Sequence, residues 1–396
     1  MIDAAVAAQL TETNDLDWKR DLPPTKALNE HEFPKDVAAM ANSGGGVIVY
    51  GVEETDKRAT GRRDVGHLSE RHESTLRSAA ITAITPPILG LGIYPLGALG
   101  NQVVAVVVPA SADSPHLIYR DQYFGAPLRN DADTVWMKER QVEAQYRARF
   151  DERRHTTEAL DNLYEEANTN WNSRERVWLI TVAHPRLPAT PASRQTQDSA
   201  REVLAEAVAL AAVYAGGGIH PITNVDRFNP RRGLRRWVAR NTATSDTTKW
   251  KAAWMAIHDD GSVSLAAAVG GRRSGQSGEN LGLHQVESAG VECAVTDFMA
   301  LLRATSNSHG IGEYEVRIGL EWGGPKPLTM VSANTWGEED VTPLRRFSPI
   351  TATVTADASA LDFYWQVHDL AEDCVNQGGM AFVQMISPPA RDGSES

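Results

Sequence analysis

Twenty residues, Lys35 to Glu54, constrain the fold of this chain more than any others. Val37-Ala38-Ala39-Met40-Ala41 is small, apolar and helix-favouring, and Asn42-Ser43-Gly44-Gly45-Gly46 follows at once. Asn42 and Gly44 are expected to take the left-handed conformations that close a helix. Val47-Ile48-Val49-Tyr50-Gly51-Val52 is then a short β-branched run, which suits a strand covered on both faces. Glu53 and Glu54 emerge at its carboxyl end, where α/β sheets tend to place their sites. A helix, a glycine turn and a buried strand in so few residues predict a mixed α/β layer domain.

Upstream, Glu12-Thr13-Asn14-Asp15-Leu16-Asp17-Trp18-Lys19 places an acid-aromatic-lysine run five residues after a glutamate. Downstream lie Val103 to Val108, Ser111, Pro115-His116 and the segment Tyr123 to Arg129. Together with the glycine turn, these segments resemble the AlbA-type domain of the Schlafen family, over about residues 10–145. Asp17 and Trp18 stand where the family carries glutamate and phenylalanine. The resemblance maps the acidic triad of nuclease-active members onto Glu12, Asp17 and Glu54. It implies that these three hold Mg²⁺ or Mn²⁺ through oxygen ligands, with Lys19 beside the scissile phosphate. Here Asp17 is one methylene shorter than the family's glutamate, and Glu54 one longer than its aspartate. Spacing alone does not bring the three together, since residues i and i+5 on a strand point to opposite faces.

Some Schlafen proteins carry an ATP-binding description, and Gly44-Gly45-Gly46 invites that reading. No glycine-lysine pair followed by serine or threonine occurs, and these glycines lie between a helix and a following strand, the reverse of the P-loop order. The expected role is a helix cap and tight turn, with no ATP. Gly270 to Gly278 also lacks the lysine and reads as a loop. Ser43 and Ser111 lie in turns without a nucleophile elbow.

Over 396 residues the chain carries a net charge of −12, and in the first 150 residues 16 basic side chains face 20 acidic ones. Phosphate binding needs a positive surface, so a protein that coats nucleic acid over its whole surface is excluded. Contacts must rest on local patches. The candidates are Lys19, Lys57, Arg58, Arg62, Arg63 and Arg129, and separately Arg231, Arg232, Arg235, Arg236 and Arg240 beside Trp237. Each patch also reads as an ordinary solvated surface. Cys293 and Cys374 are the only cysteines and fit a reducing, cytoplasmic setting. No apolar run is long enough to span a membrane, and residues 1–10 lack the basic start of a secretory signal.

The expected organisation is α/β (α+β): a mixed-sheet domain at residues 1–150 and a second α+β domain at 151–396. In the first, helices are expected at Glu32–Asn42 and Ser69–Thr85, strands at 16–19, Gly46–Val52, Ile88–Tyr94 and Gln102–Val108, and a polar loop at Asp56–Gly66. A helix from Val135 to about Arg154 precedes another at Thr156–Asn168. In the second, Asp259-Asp260-Gly261 predicts a hairpin between Lys251–His258 and Ser262–Val269. Trp250 and Trp254 share one face of its first strand. A further hairpin is expected around Gly323-Gly324, and helices at Asp198–Tyr214, Thr296–Ser306 and Ala358–Asn376.

Three functional classes stay open from the sequence. The first is a nucleic-acid-binding protein, acting on DNA or structured RNA, of the kind that regulates transcription. The second is a metal-dependent endoribonuclease cleaving structured RNA such as tRNA, in stress or phage defence. The third is a partner-binding scaffold or sensor without catalysis. Only one Schlafen-like lobe is recognisable, so a homodimer is the way to a second.

Overall fold

The structure is a computed structural model that describes residues 2–30, 32–98, 100–120, 123–169, 173, 176–187, 195–241, 252–271, 281–282, 284–323, 326–333 and 339–389. The chain divides into two compact units, Met1–Arg153 and Arg154–Ser396.

The first unit opens with helix α1 (Ile2–Ala7) and strand β1 (Leu16–Lys19). Helix α2 (Glu32–Asn42) buries Phe33, Val37, Met40 and Ala41, the i, i+4, i+7, i+8 stripe of an amphipathic helix. Strand β2 (Gly46–Tyr50) follows. The turn between them uses left-handed glycines, with φ of 98° at Gly44 and 88° at Gly45. A Cβ at Gly45 would meet the Ala110 nitrogen at 2.7 Å, so the turn also needs glycine for space. Asn42 differs from expectation: it stays within the helix, and its side chain has another task described below.

The expected loop at 56–66 is instead a hairpin of β3 (Val52–Thr55) and β4 (Arg58–Arg62). Its turn residues Asp56 and Lys57 both have positive φ, 52° and 62°, which is the backbone a two-residue hairpin turn requires. Asp-Lys is an unusual pair for that turn, which hides it from a reading of residue types. Helix α3 (Glu70–Thr82) is capped by Ser69, whose hydroxyl accepts from the His72 N–H at 3.2 Å. Then come β5 (Ile84–Thr85), β6 (Gly92–Leu96), β7 (Val103–Val108), β8 (Leu117–Arg120), β9 (Tyr123–Gly125), β10 (Pro127–Asn130) and β11 (Asp133–Trp136).

The main sheet has the order β1-β2-β7-β6, with β1 parallel to β2 and the other pairs antiparallel. One face packs Ile48, Val104 and Val106 against α2 and α3 residues such as Val37 and Leu76. The other packs Trp18, Val49 and Val103 against Ile2 of α1, Val52 and Ala59. Helix α4 (Glu139–Asn168) is one helix where two were expected, because no glycine or proline interrupts 150–156.

The second unit is built on a seven-stranded antiparallel sheet. Its strands are β12 (Trp178–Pro185), β13 (Arg231–Gly233), β14 (Arg236–Arg240), β15 (Ala253–His258), β16 (Val263–Ala268), β18 (Glu313–Glu321) and β21 (Ile350–Thr355). They run in the order β13-β14-β15-β16-β12-β18-β21. A small sheet joins β17 (Gln285–Glu287), β19 (Leu328–Ala333) and β20 (Glu339–Leu344). Helices α5 (Gln197–Tyr214), α6 (Ser288–His309) and α7 (Ala360–Asn376) complete the unit. Helix α6 is almost wholly buried, and Phe298, Leu301 and Leu302 are fully enclosed in the core.

The hairpin around Asp259-Asp260-Gly261 forms as expected, with Ala256 opposite Ser264. The one expected at Gly323-Gly324 does not. Strand β18 pairs on both edges, with β12 and β21, so β19 joins the other sheet. Trp250 and residues 272–280, most of the loop expected at Gly270 to Gly278, lie outside the described residues, as do residues 390–396. Cys293 and Cys374 are buried free thiols.

Candidate functional site

Three elements bring the expected acids to one cleft. Residues 10–12 run beside the β3–β4 hairpin: the Leu10 carbonyl accepts from the Ala59 N–H at 3.1 Å, and the Glu12 N–H donates to the Lys57 carbonyl at 2.9 Å. This edge pairing draws Glu12 towards Glu54, which sits at a β-bulge in β3. Strand β1 lies parallel to β2, with Asp17 opposite Ile48 and Lys19 opposite Tyr50. Alternation along β1 sends Trp18 into the core, while Asp17 and Lys19 share the opposite face. Glu12, Asp17, Lys19, Lys57 and Glu54 line the same cleft of about 470 Å³.

Asp17 is held firmly. Its Oδ1 accepts from Arg129 Nη1 at 3.0 Å, and both side chains are only 2% exposed. Its Oδ2 lies 2.7 Å from Lys19 Nζ, which also stands 3.6 Å from Asp36 Oδ2. Arg129 reaches this position because β10 is stitched to the end of α2. Asn42 Nδ2 donates to the His116 and Pro127 carbonyls at 3.0 and 2.8 Å, and its Oδ1 accepts from the His116 N–H at 2.7 Å. Ser43 Oγ accepts from the Arg129 N–H at 2.8 Å. The Asn42-Ser43 pair therefore positions an arginine rather than closing a helix.

Glu12 accepts from the Trp18 N–H at 3.0 Å and is nearly buried. Burial first, and then the charges of Asp17 and Glu54, raise its pKa to about 7, against the opposing Trp18 hydrogen bond and Lys19. Burial also pushes the Asp36 carboxyl up, with Lys19 opposing. The Lys19 ammonium is held above its usual pKa because Asp36 and Asp17 outweigh its own desolvation. The Tyr50 hydroxyl, buried beside Asp36 and Asp17, is pushed well up.

The arrangement corrects two expectations. Arg129, expected to contact nucleic acid, is buried and engaged by Asp17, with Nη2 turned to the Thr13 carbonyl at 3.4 Å. The expected metal set of Glu12, Asp17 and Glu54 shares a cleft but does not form a ligand cluster. Among the described residues, no three histidine, cysteine or acidic side chains are placed to hold a metal ion. The physical reason is that both Asp17 oxygens already face cations. As placed, the donors do not fit a metal, so no step is derived through one.

The expected basic surface is largely matched by acids. Lys57 pairs with Asp133, Arg62 with Asp3 at 3.1 Å and Arg63 with Asp21 at 3.3 Å. Arg58 is exposed and has no ion pair among the described residues. Asp36 and Tyr50 are cleft residues that sequence reasoning passed over. A charged residue inside the apolar stretch of α2 was the available signal for Asp36.

Residues 12–138 match the family model described as Schlafen, AlbA_2. The Schlafen AlbA-type resemblance of the sequence is thereby met, over about a third of the chain. Among curated proteins none matches. Two examples stand among the similar solved structures. One is a crystal structure of a Corynebacterium diphtheriae protein, at 17% identity and a TM-score of 0.26, with 54% of this chain and 32% of that one covered. This chain thus spans about a third of that protein. The other is a solution structure of the N-terminal domain of a protein described as ATP-dependent DNA helicase RecG-related, from Nitrosomonas europaea. It shows 20% identity and a TM-score of 0.25, with 35% of this chain and 89% of that one covered. Likenesses this weak carry no weight for function. Among the described residues, no helix is long and apolar enough to cross a membrane.

Proposed function

We propose that the Schlafen AlbA-type unit binds nucleic acid, DNA or structured RNA, across the cleft that holds Glu12, Asp17, Lys19 and Glu54. The match of residues 12–138 to the Schlafen AlbA_2 model carries this reading. Lys19, Lys57 and Arg58 supply cations at or near the cleft. Surface ion pairs such as Lys57–Asp133 and Arg63–Asp21 are worth little, so a phosphate can displace the acid partner at small cost.

A second reading, cleavage of structured RNA such as tRNA, is favoured by Glu12. A carboxyl whose pKa lies at about 7 can take up or give a proton near neutral pH, which is the property general acid–base catalysis requires. Mg²⁺ or Mn²⁺ remains a condition to vary in the assay. The test incubates the full chain with total tRNA and with duplex DNA, in Mn²⁺ or in EDTA, beside a Glu12→Gln/Asp17→Asn/Glu54→Gln variant. Retarded mobility of intact nucleic acid by both proteins is the result expected for binding. Cleavage lost in the variant establishes the second reading. Absence of retardation and cleavage at low salt overturns both.

A further inference from the structure

The second unit carries a concentration of positive charge at one edge of its sheet. Strands β13 and β14 form a hairpin with Arg231 opposite Val238 and Gly233 opposite Arg236. Strand alternation puts Arg231, Arg236 and Arg240 on one face, with Arg231 diagonal to the other two, a separation of about 7–8 Å. Leu234 and Arg235 make the turn, where Arg235 has a φ of 53° and Leu234 is 87% exposed.

Two of the arginines anchor the hairpin. Arg232 binds both oxygens of Asp259, at 2.9 and 2.6 Å, and lies 5.3 Å from the centre of the Trp237 ring. Arg236 pairs with Glu166 and lies 5.7 Å from the Trp254 ring. Arg231, Arg235 and Arg240 are exposed and have no ion pair among the described residues. Among the described residues, the acids at this hairpin are taken by its other arginines, Asp259 by Arg232 and Glu166 by Arg236. The nearest acid in sequence, Asp226, is occupied by Asn229, whose N–H donates to it at 3.1 Å.

We propose that the β13–β14 hairpin is a nucleic-acid contact that reads the phosphate backbone through Arg231, Arg235 and Arg240. The contact is electrostatic and indifferent to sequence. Base stacking on Trp237 is disfavoured: its Nε1 donates to the Gln195 carbonyl at 3.0 Å and Arg232 lies over its ring. The proposal gives the second unit a role of its own and does not depend on the cleft of the first.

The test is fluorescence anisotropy of the full chain with a labelled 20-nucleotide RNA and a DNA duplex, over 25–200 mM salt. The wild type is compared with Arg231→Ala/Arg235→Ala/Arg240→Ala, with the single tip variant Arg235→Glu, and with Arg58→Glu/Arg63→Glu in the first unit. Each lost phosphate contact lowers the slope of log affinity against log salt by about 0.7–0.9. The triple variant is expected to lose about two units of slope and at least about tenfold in affinity at low salt. Arg235→Glu, at an exposed turn position, should shift affinity the same way without lowering the melting temperature. Unchanged slope and affinity in the triple variant overturn the proposal, and if Arg58→Glu/Arg63→Glu alone abolishes binding, the first unit's reading survives it. Loss confined to the triple variant supports the hairpin and counts against the cleft. Displacement of RNA by polyglutamate at equal charge concentration identifies an acidic protein ligand instead and also overturns the proposal.

Discussion

Below about pH 4.5 the Glu12 carboxyl is protonated in the folded and the unfolded chain alike. As pH rises from there, the unfolded chain ionises first, because burial and the neighbouring acids hold the folded-state pKa at about 7. Stability contributed by the neutral carboxyl is therefore full below about pH 4.5 and lost as pH rises through about 7. Glu12→Gln keeps an acceptor for the Trp18 N–H and removes the titration. The variant is expected to be more stable than wild type by about 1–3 kcal/mol at pH 8, with little difference at pH 4.5, in urea unfolding at both values. Equal stability at pH 8 would show that Glu12 ionises freely. Arg129→Ala should act in the opposite direction. It leaves the Asp17 charge buried with Lys19 as its remaining cation, at a cost of about 3–5 kcal/mol. Asp17→Asn in the Arg129→Ala background should recover part of that loss. The residue types of this site were legible in the sequence because they recur as a local motif. The Asp17–Arg129 pair was not, because its partners are 112 positions apart and only the Asn42-Ser43 stitch to β10 brings them together.

At the scale of elements, the glycine turn between α2 and β2 sets where the Asn42-Ser43 stitch falls. Gly45→Ala places a Cβ 2.7 Å from the Ala110 nitrogen and 2.8 Å from the Val108 carbonyl oxygen, both backbone atoms that cannot rotate away. It also strains a residue at a φ of 88°. The expected result is a loss of at least about 2 kcal/mol in denaturant unfolding. Gly44→Ala has an open environment and carries only the conformational penalty, so it should cost less. A Gly45→Ala variant as stable as Gly44→Ala would mean that the turn can slide. Elements with local signals were legible: α2, β2, the Ser69-capped α3 and the β15–β16 hairpin all follow from nearby residues. The failures have a common physical form. The β3–β4 hairpin depends on two positive-φ residues that are neither asparagine nor glycine. Strand β19 depends on which edges of β18 are already filled. The single α4 depends on the absence of a stop signal, whereas a polar surface stretch read as a break.

For the molecule as a whole, the contest is between a net charge of −12 and a few outward-facing cations. Arginine and lysine keep their charge from pH 8 to pH 6, so a change in nucleic-acid affinity over that range comes from carboxylates that take up a proton and from histidines that gain positive charge, of which the chain has 11. Glu12 is one such group, since its pKa of about 7 means that it gains a proton within the range and lowers the repulsion inside the cleft. Affinity for RNA is therefore expected to rise by about three- to tenfold between pH 8 and pH 6 at 25 mM salt. The long-range share of this effect decays with the screening length, about 10 Å at 0.1 M salt, so the rise should shrink at 200 mM. Glu12→Gln should flatten part of the pH response at both salts, because its contribution acts at close range. The hairpin variant Arg231→Ala/Arg235→Ala/Arg240→Ala should lower affinity at every pH and leave the shape of the response alone. If Glu12→Gln leaves the pH response intact while the hairpin variant removes it, the phosphate backbone does not approach the Glu12 cleft, and the hairpin of the second unit is the principal nucleic-acid surface of this protein.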